Sequence, residues 1–347
     1  MMKKRVLIGL IATLGALSSC GAGKDRQVVN LFNWTYFIPD QVLYDFRNET
    51  GIHVQLDTYD GNDTMYAKLL SGNANYDVVV PSGDFVSLMI EQNMLQPLHK
   101  ELLPNFRHFD PMILTYITFD PGNVYSVPYA LGATGININT GKVSEFEASW
   151  RIFEREDLAR RMTLMNDTRD VIGGALKYLG YSANSTNPDE INQARDHIIR
   201  YWKPNILKFD AEMFGKDFAT GNTWIAQGFP EVVMKELEGS EAFKNHHFAL
   251  PKEGGLIYLD NMAILADAPH PDLAHQLINY ILRLDVHAFI MDEFWYPTLM
   301  PEAEALRRVA VPYSIEGLFA NNYEFRENVG DAVTYYTQAW NVIMQSK

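Results

Sequence analysis

Between Val28 and Gly83 the chain alternates short β-branched runs with helical stretches, and this alternation constrains the fold more than any other feature. Val28 to Phe32 is β-branched and apolar; Pro39 to Arg47 follows with Leu43 and Phe46 on one face, and Gly51 stands where a helix C-cap would. Ile52 to Thr58 alternates like a strand, Thr64 to Leu70 reads as a short helix ended by Ser71-Gly72, and Tyr76 to Val80 is a continuous apolar strand broken by Pro81-Ser82-Gly83. Strands separated by helices predict an α/β fold, with mostly parallel sheets flanked by helices. In such sheets a ligand sits beyond the carboxyl ends of the strands, where Asn33-Trp34-Thr35 and Ser82-Gly83-Asp84 would lie.

The rest of the chain continues the pattern. Pro188 to Trp202 has Pro at a first helical position after Asn187, and Pro271 to Leu282 repeats that arrangement with a stripe of Leu273, Leu277, Ile278 and Ile281; both read as structural helices. Gly254-Gly255 turns into a strand running from Leu256 to Asp260, and Trp295-Tyr296-Pro297 closes a later helix. A length of 347 residues fits about two domains. No repeat or flexible linker separates them, which implies domains joined by strand-like crossings and able to hinge.

The N-terminus reads as an export signal. Met1-Met2-Lys3-Lys4-Arg5 is a basic leader, and the apolar run Val6 to Leu17 is too short to span about 30 Å of hydrocarbon. Leu17-Ser18-Ser19-Cys20 resembles the bacterial lipobox, which predicts removal of residues 1–19 and lipid on Cys20; an ordinary signal peptide with a chance cysteine is the plainer alternative. Residues 20–27 would be a polar tether. Cys20 is the single cysteine, so neither an intramolecular disulfide nor a Cys/His zinc cluster is possible. With Lys+Arg 29 against Asp+Glu 43 the formal charge is −14, which argues against nucleic acid as a partner and permits a cationic one.

Signatures of catalysis are missing: the sequence has no HExxH, no G-x-S-x-G, no Walker loop and no G-x-G-x-x-G. His246-His247 reads as a pair of surface histidines, since neighbours on a strand point to opposite faces. Asp167 and Asp170 could serve a hydrolase as paired carboxylates; a solvated turn or helix start explains that spacing equally well.

Several collinear motifs carry a resemblance. Asn33-Trp34-Thr35, Glu49-Thr50-Gly51, Asp63-Thr64-Met65-Tyr66-Ala67-Lys68-Leu69, Tyr76-Asp77-Val78-Val79-Val80-Pro81-Ser82, Pro251-Lys252-Glu253-Gly254-Gly255 and Tyr296-Pro297-Thr298 resemble the bacterial spermidine/putrescine-binding proteins of polyamine ABC transporters. Ser126-Val127-Pro128-Tyr129, Leu179-Gly180-Tyr181-Ser182 and Leu282-Arg283-Leu284-Asp285-Val286 extend it over nearly the whole exported chain. The resemblance implies a two-lobed periplasmic-binding-protein fold of type II, with residues 26–132 plus 259–303 in one lobe and 133–258 plus 304–347 in the other. It also implies a polyamine ligand, a permease partner, a monomer in the periplasm, no cofactor and no catalysis. Another cationic or amino solute, or a sensing role, stays open beside transport.

A polyamine needs carboxylates at fixed separations and flat apolar walls between them. By the resemblance, Trp34, Tyr36, Phe37, Tyr258 and Tyr296 supply walls, Asp260, Asp167 and Asp170 bind amines, and Ser82 fits a hydrogen-bonding position. Asp260 lies two residues beyond Tyr258, on the same strand face. Four positions depart from the family: Phe37 replaces a tyrosine, Asp84 an aromatic and Arg326 a glutamine that contacts ligand, while Ala226 stands in place of a tryptophan that Trp224 approaches two residues earlier. Arg326 would pair with one of the carboxylates or point away from the cleft.

Overall fold

The computed structural model describes residues 27–35, 37–72 and 75–346; the export signal, Cys20, most of the tether and Tyr36 lie outside the described residues. Among the described residues eleven strands form two sheets. The first contains β1 (Val28–Trp34), β2 (His53–Tyr59), β3 (Val78–Val79) and β4 (Ser126–Ala133). The second contains β5 (Gly135–Asn139), β6 (Met162–Leu164), β7 (Ile206–Phe209), β8 (Ile225–Gly228) and β9 (His246–Ala249). The chain then returns to the first sheet through β10 (Leu256–Ile264) and, near its end, β11 (Glu324–Phe325).

Each sheet is mixed. In the first, β1 pairs in parallel with β2 and β3, as strand–helix–strand units require. The long β10 enters antiparallel to β3 and β4, because it returns from the second sheet in the opposite direction. In the second sheet β6 is parallel to β7 and β8, while β5 is antiparallel to β8 and β9. Only Thr134 separates β4 from β5, so the first crossing between the sheets is one continuous extended segment.

Two main cores follow from this. Val29, Leu31, Val78, Leu131, Ile257 and Leu277 are buried in the first; Ile136, Trp150, Leu164, Ile172, Trp202 and Tyr336 are buried in the second. Residues 313–325 pack in the first core through Tyr313, Ile315, Leu318 and Phe325, because β11 adds in parallel to the edge of β10. The chain crosses to the second core only from Val329 onward.

Local expectations meet specific geometry. Helix Asp40–Thr50 ends at Gly51 with φ 77°, a left-handed cap whose N–H bonds the Arg47 carbonyl. Helix Pro188–His197 starts under an Asn187 cap that accepts from the Asp189 N–H, and runs into a single wider turn, Ile198–Trp202. The strand expected over Tyr76 to Val80 is ladder-paired only at Val78 and Val79, flanked by the Asp77 N–H bonded to the Asn30 carbonyl before it and by Pro81, which has no N–H to offer, after it. Of the two adjacent histidines only His247 is exposed. His246 is half-buried against Asn137 Oδ1 at 2.8 Å, and burial, aided by His247, pushes its pKa down to about 4.

Candidate functional site

A cleft of about 530 Å³ opens between the two sheets, a size suited to one small molecule. The residues expected from the sequence converge on it: Trp34, Phe37, Ser82, Asp84, Asp167, Tyr258, Asp260, Tyr296 and Arg326 all line its walls. Asp170 does not. It lies behind the wall at 3% exposure, accepting from Thr134 Oγ1 at 2.6 Å and from the Tyr258 hydroxyl.

Three of the acidic groups share one structural origin. Asp84 lies in the first turn of helix Gly83–Glu91 after β3, Asp170 in the first turn of Thr168–Tyr178 after β6, and Glu231 in the first turn of Pro230–Leu237 after β8. A strand followed by a helix brings that helix's N-terminus to the strand's carboxyl end, where free backbone N–H groups favour anionic side chains. Asp167 is the cap of its helix, with Oδ1 accepting from the Arg169 and Asp170 N–H groups. Its other oxygen faces Arg326. The pair is thus a helix start, one of the two plain readings of its spacing, with Asp167 as the cap and Asp170 a buried anchor.

Asp260 comes from β10, next to a bulge that shifts the register between Asp260 and Asn261. Ser82 Oγ donates to Asp260 Oδ1 at 2.8 Å, and Asn62 Nδ2 donates to Ser82 Oγ at 2.8 Å, so a short relay fixes the carboxylate. Burial pushes the Asp260 pKa up to about 7, with Asp84 adding repulsion and the Ser82 bond opposing both. Burial also raises Asp170 to about 7, with Asp167 adding to it and Thr134 and Tyr258 opposing. A desolvated carboxylate of this kind binds a cation strongly, since the cation restores the lost charge stabilisation.

Aromatic side chains form the apolar walls. Trp34 is anchored by Nε1 to the Val80 carbonyl at 2.9 Å, and its ring lies 4.8 Å from Tyr59. Phe37 stands edge-on to Tyr296 at 5.9 Å. Tyr296 itself is delivered by Trp295, whose left-handed φ of 59° turns the chain after helix Leu284–Glu293.

Two wall residues were not legible in the sequence. Phe229 lines the cleft and stands 5.5 Å from Tyr258, edge to face, while Ala226 is buried in β8 and Trp224 packs under Arg161. Phe229, three residues after Ala226, thus brings an aromatic ring to this part of the cleft. Glu231 also lines the cleft, and its Oε2 is buried without a hydrogen-bond partner. Burial pushes its pKa up to about 8, with its own backbone N–H and Tyr296 opposing. The signal for both was Gly228-Phe229-Pro230-Glu231, a strand end and helix start with an acid in the first turn, parallel to Pro81-Ser82-Gly83-Asp84. Among the described residues no cluster of His, Cys, Asp and Glu could hold a metal ion.

Comparison with known proteins fits this architecture. A 313-residue stretch is 33% identical to the putrescine/agmatine-binding protein of Pseudomonas aeruginosa, covering 85% of each chain. Over 333 residues the chain is also 33% identical to the spermidine/putrescine-binding periplasmic protein of Salmonella typhimurium, covering 93% of this chain and 94% of that one. The crystal structure of the TpPotD lipoprotein of Treponema pallidum superposes with a TM-score of 0.88 at 36% identity, over 91% of this chain and 99% of that one. The family model for bacterial extracellular solute-binding proteins matches residues 41–307, a span that contains strands of both sheets and most of the cleft. The chain therefore belongs to the bacterial extracellular solute-binding proteins.

Proposed function

We propose that this protein binds a polyamine, putrescine or spermidine, by closing two lobes over the cleft, and delivers it to the permease of an ABC transporter without catalysing a reaction. The observation that carries this reading is the set of buried carboxylates, Asp260 and Glu231 above all, set among the rings of Trp34, Phe37, Phe229, Tyr258 and Tyr296. Methylene chains need flat apolar walls and ammonium groups need desolvated anions, and this cleft supplies both. The names of the Pseudomonas and Salmonella relatives support the same ligand class.

In this reading Asp260 and Glu231 meet ligand amines, Ser82 orients Asp260, Asp84 and Asp167 face Arg326, and Asp170 acts through Tyr258 as a positioning residue. The lobes comprise residues 26–132 with 259–303 and 133–258 with 304–347, the segment 313–325 resting on the first lobe's core. Residues 1–19 direct export, residues 20–27 form a tether, and lipid on Cys20 holds a monomer to a membrane facing the periplasm.

Calorimetric titration of the purified protein tests the ligand: a saturable one-to-one heat with putrescine or spermidine is expected, and no heat with either would overturn the reading. Mass spectrometry of intact purified protein tests the anchor, which predicts a lipid-sized mass increment on a chain beginning at Cys20.

A further inference from the structure

Arg326 follows β11 directly, and its backbone N–H donates to the Ile257 carbonyl at 2.9 Å, which fixes the base of the side chain against β10. The guanidinium then makes four contacts inside the cleft. Nε lies 3.3 Å from Asp84 Oδ2, Nη1 lies 3.8 Å from Asp167 Oδ2, Nη1 donates to the Tyr258 hydroxyl at 3.2 Å, and the group's central carbon stands 5.4 Å from the Tyr258 ring centre. Two carboxylates, a phenol oxygen and an aromatic face are what an alkylammonium group would seek in this cleft. This end of the cleft is therefore occupied by a cation that belongs to the protein.

Two other carboxylates that line the cleft differ. Asp260 is held by the uncharged Ser82, and Glu231 Oε2 has no hydrogen-bond partner; among the described residues neither forms an ion pair. Asp260, Glu231 and the Tyr296 ring line the same cleft. Two carboxylates of the cleft with no cation of the protein beside them leave places for two ammonium groups.

Resting on the polyamine reading above, we propose that Arg326 is the specificity-determining residue of the cleft: it stands in for one amine beside Asp84 and Asp167, and so selects a short diamine, bound between Asp260 and Glu231, over a longer triamine. A third ammonium would have to sit against the guanidinium or displace it from its carboxylates, and like charges at that distance discriminate against the longer ligand.

The test is calorimetric titration of the wild type, Arg326→Gln, Arg326→Lys and Glu231→Gln with putrescine and spermidine. The wild type is expected to bind putrescine at least about tenfold more tightly than spermidine, and Arg326→Gln to abolish or reverse that ratio by gaining spermidine affinity. Arg326→Lys keeps a cation in place and should keep the preference. Wild-type preference for spermidine, or a ratio unchanged by Arg326→Gln, overturns the proposal while leaving polyamine binding intact; binding of neither ligand by the wild type sinks both. Should Arg326→Gln fail to fold, as judged by circular dichroism, Glu231→Gln decides: a loss of putrescine affinity of at least about tenfold supports the proposal, and unchanged affinity overturns it.

Discussion

Asp260 shows how a single side chain acquires affinity for a cation. Burial removes the water that would solvate its charge, Asp84 adds repulsion, and Ser82 returns only part of the loss through one hydrogen bond. An ammonium group supplies the missing counter-charge. Asp260→Ala should therefore weaken polyamine binding by about 2–5 kcal/mol, the range for truncating one partner of a buried charge pair, as read by calorimetry. Unchanged affinity would remove Asp260 from the site. Tyr258 and Asp260 were legible through the family resemblance, and positions two apart on a strand place them on one face whatever the fold around them. Glu231 was not, because an acid in the first turn of a helix is commonplace, and only the neighbours that exclude water make this one different.

At the scale of elements, the short β3 depends on one carboxylate. Asp77 is fully buried; its Oδ2 accepts from the Asn30 N–H at 2.7 Å and its Oδ1 from the His270 N–H at 2.6 Å. It thereby ties β1 and the start of helix Pro271–Ile281 to β3, beside the backbone bonds that its own N–H makes to the Asn30 carbonyl and its own carbonyl accepts from the Leu265 N–H. Asp77→Ala leaves those donors unpaired and should lower stability by about 3 kcal/mol or more in urea unfolding. The motif Pro251-Lys252-Glu253-Gly254-Gly255 likewise proves structural. Glu253 accepts from Ser149 Oγ at 2.5 Å, the Gly254 carbonyl accepts from Trp150 Nε1 at 2.7 Å, and a Cβ on Gly254 would lie 2.3 Å from the Asn322 oxygen at a φ of 100°. Gly254→Ala should thus destabilise the second core without touching the cleft, seen as a lower melting temperature at unchanged ligand affinity.

For the whole molecule, the buried carboxylates couple stability to pH and to ligand. Asp170 and Asp260 move from 3.8 up to about 7, and Glu231 from 4.5 up to about 8. These groups hold protons in the folded state that the unfolded chain has already released. Their contribution is therefore complete below the unfolded values and is lost as pH rises through the folded ones. His246 and His287, kept neutral by burial, act in the opposite sense up to their unfolded pKa near about 6.5, so the carboxylates are read above it. Ligand-free protein should lose stability in urea between about pH 7 and 8.5, and saturating ligand should remove most of that loss. A ligand-free stability that stays flat over this range would contradict the buried, protonated carboxylates.

What the sequence determined by itself was local: strand and helix alternation, the Gly51 stop, the Asn187 cap, the shared face of Tyr258 and Asp260, and the loops at strand ends. Each rests on backbone preferences and periodicities that span a few residues. Tertiary structure decided which distant groups meet and which lose their water. Ser82 reaches Asp260 across 178 positions of sequence, Arg326 reaches Asp84 from the far end of the chain, and Phe229 brings its ring beside Tyr258. Desolvation and Coulomb energy depend on distance through space, and the order of residues along the chain does not encode that distance until the sheets have assembled.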